Sequence, residues 1–303
     1  MSVRPAEGFV GQPPQSDLET RLRAAFMAGK AVTVRVGVAL STWKDPGPEA
    51  LYPANTLRRL EMAARVHFGA GCSLLFEDWL AYGADNHLRS LIEIFSHTAW
   101  ILGRGLLSPP MNARARALCY ELAMVNALID EMKVMEELAR RLHPDDPPVS
   151  QRADVERARS DLLQLHPADS CSCAGKGHGF WTVRRVLLEM VDAPKGIKLE
   201  VADWMHPLWR YTSRIDHHAG FERMLRFDGE KRWIGPAEPW QRVQSFLWLI
   251  QVYGSIVGWV AEEYNREVAL ELVRELAGLS GHEALLEVAQ ANPQAFALRD
   301  QQG

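Results

Sequence analysis

The chain is 303 residues long, 47% hydrophobic and 24% charged, with a formal net charge of −4. This composition excludes a disordered, collagenous or disulfide-scaffold protein, and the length allows one large domain or two small ones, either with a real core. The mildly acidic balance excludes a wholesale nucleic-acid coat but leaves room for a local basic patch.

In chain order, residues 1–19 carry charges and prolines where a signal peptide needs an apolar run, and read as a lead rather than a targeting segment. Asp17 is placed to cap a short amphipathic helix over 17–29, with Leu18, Leu22 and Phe26 on one face. Residues 32–40 (VTVRVGVAL) alternate and predict a strand, or an extended arm because no second strand is in view. The turn-rich stretch 44–53 closes this segment. The expected organisation is an N-terminal arm over 1–50, with a short helix and an extended segment, and a helical bundle domain over 51–303.

Helical periodicity dominates that second part. It predicts helices over 55–82, 85–102, 112–143, 151–165, 181–191, 198–225, 240–277 and 282–291, the sixth kinked or broken at Pro207. Loops are expected at 166–180 and at 227–239. The predicted fold class is all-α, an antiparallel helical bundle. One segment, 243–261, carries no charge and is about long enough to span a bilayer, and it contains Gly254-x3-Gly258, a spacing that lets helices approach closely. Gln244, Ser245, Gln251 and Ser255 are costly in lipid and no basic cluster flanks the run, so a core helix is the expected reading and no membrane association is expected. Four cysteines (Cys72, Cys119, Cys171, Cys173) make no disulfide framework, which points to a reducing cytoplasm.

Three constellations carry chemistry. On the helix over 85–102, Arg89, Ser90, Glu93 and His97 share a narrow stripe on an otherwise apolar cylinder, either a solvent face or a buried polar site. On the helix over 198–225, Arg210, Ser213, Arg214 and His217 fall on one side, with His218 at its edge. Two cations, a hydroxyl and an imidazole on one face can hold a phosphate and move a proton, or they form a solvated basic face. In the loop, His166, Cys171, Cys173 and His178 supply the donors of a tetrahedral zinc set, although Cys-x-Cys is tighter than the usual gap. The alternative is exposed thiols with no metal, and no other cofactor is expected.

The run 74–102, with Arg89-Ser90-Leu91-x-Glu93, followed by a tryptophan-rich helix with Ser213-x3-His217, resembles a bacterial helical family of unknown function. That family is placed near the HEPN (higher eukaryotes and prokaryotes nucleotide-binding) superfamily. The resemblance covers about residues 55–265. It implies a HEPN-like fold, a toxin–antitoxin or phage-defence setting, RNA as a partner, a homodimer, and a cognate antitoxin or regulatory protein. It also implies a metal-independent ribonuclease site with an arginine and a histidine on one helix. Arg210-x6-His217 fits that pattern, as does Arg159-x6-His166, and the family-like helix selects the former. On this reading His217 is the general base on a ribose hydroxyl, Arg210 and Arg214 hold the phosphate, and Arg89, Glu93 and Ser213 support them. Two alternatives stay open: a non-catalytic helical interaction or sensor module, and a membrane-associated helical protein using 243–261.

Overall fold

The computed structural model describes residues 15–41, 51–107, 112–142, 151–165, 181–196, 198–199, 201–216, 225–228, 231–263 and 266–296. The fold is all-α, as the periodicity predicts. Its helices are α1 (Gln15–Ser41), α2 (Leu51–Leu74), α3 (Ala84–Leu102), α4 (Ala113–Leu142), α5 (Arg152–Leu165), α6 (Val183–Val191), α7 (Ala202–Asp216), α8 (Pro239–Glu262), α9 (Arg266–Ser280), α10 (Glu283–Ala291) and α11 (Pro293–Phe296). A small antiparallel hairpin joins β1 (Leu225–Asp228) to β2 (Lys231–Ile234), with Leu225 opposite Ile234 and Asp228 opposite Lys231. The chain divides into two compact units. The first gathers Met1–Ser41, Arg65–Leu91 and Thr212–Gly303, and the second Thr42–Ala64 and Ile92–Tyr211.

Several expectations are corrected. Residues 32–40 are not a strand or an extended arm: they continue α1 to Ser41. The apparent alternation splits into two i, i+4 sets. Val32, Val36 and Leu40 are buried, in line with Leu22, Ala25 and Phe26, while Val34 and Val38 face solvent. The one sheet among the described residues lies instead in the segment expected to be a loop. Pro207 does not break α7, which runs through it. The helix expected over 240–277 is two helices, α8 and α9, and the one expected over 55–82 ends at Leu74 and gives way to a 3-10 turn at Ala81–Gly83. The boundaries of α3, α4, α5, α6 and α10 fall within two residues of the sequence expectation.

In the first unit α8 is the central element, touching α1, α9 and α10, and α1 touches α9 and α10 in turn. The uncharged run 243–261 lies in α8, where Val243, Phe246, Leu249, Tyr253, Ile256, Val257 and Val260 are buried. Gly254 and Gly258 face α9, with Val273 only 3.0 Å from where a Cβ on Gly258 would stand. The helix starts at Pro239 behind a capping box: the Glu238 side chain accepts from the backbone, and the Glu238 N–H donates 2.9 Å to Gln241 Oε1.

Arg242, with 2% of its side chain exposed, sits one turn into α8. Its guanidinium donates to both carboxylate oxygens of Glu19 on α1 (2.8 and 3.0 Å) and to the Leu75 carbonyl just past α2 (2.8 and 2.6 Å). Burial by itself would raise the Glu19 carboxyl, but the hydrogen bonds and charge of Arg242, helped by Arg23, outweigh it and hold the group below the usual carboxylate range.

In the second unit α4 packs against α5. Leu118, Leu122 and Leu162 form the core of that contact, Arg159 donates 2.7 Å to Asn126, and Arg152 pairs with Glu136 at 2.9 Å. Gly103 ends α3 in the left-handed conformation (φ 72°).

Replacing Arg242 with alanine leaves the Leu75 carbonyl and part of the Glu19 carboxylate without a donor. It is expected to lower stability by about 3 kcal/mol, read as a fall in the urea midpoint. Arg242→Lys should recover only part of this, since an ammonium cannot make the paired contact.

Candidate functional site

The polar stripe of α3 exists and is partly covered along its length. Arg89, Ser90, Glu93 and His97 are all half-buried, and Ser90 Oγ donates to the Asn86 carbonyl of its own helix at 3.3 Å. His97 lies against the ring of Tyr120 on α4, centroids 5.2 Å apart. Burial pushes the imidazole down to about 4, so His97 is neutral at neutral pH. Burial, with the charge of Glu121 beside it, pushes the Tyr120 hydroxyl up to about 12. Glu121 is itself buried; it accepts from the Thr56 hydroxyl at 2.7 Å and pairs with Arg59. These groups form a polar layer inside the second unit, with His97 carrying no charge.

The cations of the second unit are gathered elsewhere. Thr182 caps α6, its hydroxyl accepting from the Arg185 N–H at 3.3 Å, which places Arg184 and Arg185 in the first turn. Both are exposed. The positive end of the helix dipole disfavours cations there unless an anion joins them. Arg185 stacks over Trp181, its guanidinium carbon 4.2 Å from the ring. On α7, His206 is half-buried and lies 6.3 Å from the Trp209 ring. Its Nε2 is buried and has no hydrogen-bond partner. The imidazole is held below its ordinary value first by burial, then by the charges of Arg210 and Arg184. Arg184 on α6 and Arg210 on α7 therefore both bear on His206. No ion pair to a carboxylate ties Arg184, Arg185 or Arg210 among the described residues. The arrangement is three exposed guanidiniums with an imidazole held below its ordinary value beside the Trp209 ring, a set of donors and charge that suits an anion.

Of the predicted set, Arg210 stands one turn from His206 on α7, and its charge and that of Arg184 both act on His206; His206 and Arg184 are two residues that sequence reasoning missed. His206-x3-Arg210 is an i, i+4 pair and was readable on the same helix, whereas nothing in the sequence brings Arg184 to it. Ser213 is half-buried on α7. His217 lies outside the described residues, as do His218, the side chain of Arg214 and the whole 166–180 loop with His166, Cys171, Cys173 and His178. Among the described residues no group of three His, Cys, Asp or Glu side chains converges as metal ligands do. Cys72 and Cys119 are both buried, and burial pushes the Cys72 thiol up.

The first unit holds a cleft of about 510 Å³ lined by Leu22, Glu19, Arg23, Asp78, Glu238 and Arg242. Both of its arginines already pair with Glu19, so it has no uncommitted cation to offer a phosphate. No protein-family description, no curated protein and no solved structure matches this chain.

The neutral His97 makes a signed prediction. Its folded value, about 4 against an ordinary 6.5, means the unfolded chain binds the extra proton between those limits. The stability tied to this site is therefore complete above pH 6.5 and is lost as the pH falls toward 4, to the extent of roughly 3 kcal/mol at most. His97→Gln should show a smaller fall in urea midpoint between pH 7 and pH 4.5 than the parent.

Proposed function

We propose that this chain is a helical RNA-binding module whose phosphate-contacting surface is built by α6 and α7. The single observation that carries the reading is that the charges of Arg210 and Arg184 both lower His206, with Arg185 over Trp181 in the first turn of α6 and, among the described residues, no carboxylate paired with any of the three arginines. A net charge of −4 for the whole chain makes an unpaired cationic patch informative, because surface arginines elsewhere are commonly tied to acids: Arg21, Arg23, Arg140, Arg141 and Arg152 each have one. Exposed guanidiniums on two helices suit a chain of phosphates better than a single compact anion, because each can take a separate phosphate. The resemblance to HEPN proteins supports the same partner. It adds metal-independent ribonuclease activity, with His217 as base and Arg210 and Arg214 at the scissile phosphate.

A second reading, a non-catalytic interaction module, draws support from His97: the histidine on the family-like stripe is sealed and neutral, a packing role. The two readings separate experimentally. In fluorescence anisotropy with a single-stranded RNA oligonucleotide, Arg184→Ala and Arg210→Ala should each weaken binding about tenfold at low salt and flatten the salt dependence by roughly one unit per lost phosphate contact. Equal affinity for parent and variants would refute the surface. His217→Ala should abolish cleavage while leaving affinity nearly unchanged if the chain is a ribonuclease, and an uncleaved oligonucleotide with the parent protein would leave the binding module alone standing.

A further inference from the structure

We infer that the outer face of α4 is the surface through which two copies of this chain pair, antiparallel, to form a four-helix layer from two α4–α5 hairpins. This does not depend on the RNA-binding reading.

α4 has two apolar faces. Leu118, Leu122 and Val125 face α5. About 120° round the cylinder, Met124, Leu128, Met135, Leu138 and Leu142 are 48%, 44%, 58%, 46% and 65% exposed. Their spacing runs four, seven, three and four residues, which is an unbroken alternation of three and four once Glu131 is counted as the missing position. That is the 3.5-residue repeat of a helix that packs along a second helix, sustained over about 27 Å. Val134, 68% exposed, flanks the seam at its middle. An isolated surface leucine needs no explanation, but five large apolar side chains in register along one exposed seam do.

The pattern also says what covers it. Laid antiparallel on itself, the stripe is self-complementary: Leu128 meets Leu138 of a second copy, Met135 meets position 131, and Leu142 meets Met124, with the two-fold beside Val134. This is the isologous contact a symmetric dimer requires. Charge selects the same arrangement. Asp130 and Glu131 lie in the first half of the stripe and Arg140 and Arg141 at its end. Glu131 is exposed and forms no ion pair among the described residues, while Arg141 is bound only to Glu137 of its own helix. Parallel pairing would stack acid on acid and base on base. Antiparallel pairing turns the arginine end of one copy toward the acidic half of the other, where a guanidinium leaning back along its helix reaches Glu131.

Sedimentation velocity on the full chain under reducing conditions tests this. The parent should pass from one chain to two across a roughly hundredfold concentration range. Leu128→Glu with Leu138→Glu should weaken the dimer about a hundredfold or more, with far-UV circular dichroism unchanged because both side chains are exposed in the single chain. Glu131→Arg and Arg141→Glu should each weaken it, and their combination should restore it, as only the antiparallel register allows. A parent that stays monomeric throughout, a dimer that survives the leucine substitutions, or a charge exchange without rescue would each overturn the proposal, as would a monomer that uses this stripe to bind lipid vesicles.

Discussion

A guanidinium taken out of water strands five N–H donors and a positive charge unless acceptors are already fixed around it. Arg242 meets that demand with groups from two other segments: both oxygens of Glu19 on α1 and the carbonyl that α2 leaves unpaired at its end. The geometry is bidentate, so it fixes angle as well as distance. It ties α1, α8 and the end of α2 to one another at a single point. Packing further along α8 is in phase with that tie. Phe246, one turn on, meets Phe26 edge to face with centroids 5.0 Å apart, and a Cβ on Gly29 would stand 2.7 Å from its ring. Leu249 comes within 2.9 Å of a Cβ on Gly71, and Tyr253 stacks on Phe68 at 4.5 Å. Positions 242, 246, 249 and 253 form one face of α8, and α2 is read backwards along it from Leu75 to Phe68.

The second unit sorts its polar groups by the cost of desolvation. Inside, charge is either neutralised or matched: His97 stays uncharged, and the buried Glu121 is held by Thr56 and Arg59. Outside, Arg184, Arg185 and Arg210 keep their charge in water and stay free to meet an anion. A histidine can serve either purpose. His97 is held neutral by burial against Tyr120, whereas half-buried His206 is lowered by burial and by the charges of Arg210 and Arg184, so an anion placed beside it would raise its proton affinity. Only the latter setting couples protonation to a ligand.

α4 shows how one helix can serve two contacts. Its 30 residues meet α5 through Leu118 and Leu122 and meet α2 and α3 through Glu121 and Tyr120, while a further apolar stripe along its second half is left exposed among the described residues. That stripe is what the proposed pairing of two copies would cover.

The amino-acid sequence determined the fold class and most helix boundaries, because amphipathic period, N-caps and glycine stops act over a few residues. Asn112, whose side chain accepts from the Ala115 N–H at 2.8 Å, Thr182, and Gly103 after Leu102 mark their helices locally. It also named Arg210 and the α3 stripe. It misread 32–40, since β-branched valines at alternate positions satisfy a strand and a helix alike; only burial of Val32, Val36 and Leu40, with Val34 and Val38 left outside, decided for the helix. The hairpin at 225–234 was not legible for a related reason: strand pairing is a contact between segments, not a property of either. His97 and His206 look equivalent in the chain, and tertiary packing alone held one neutral against Tyr120 and brought the other within the charge of Arg184. Charge, burial and proton affinity depend on what surrounds a group in space, and that is set by packing between residues far apart in sequence.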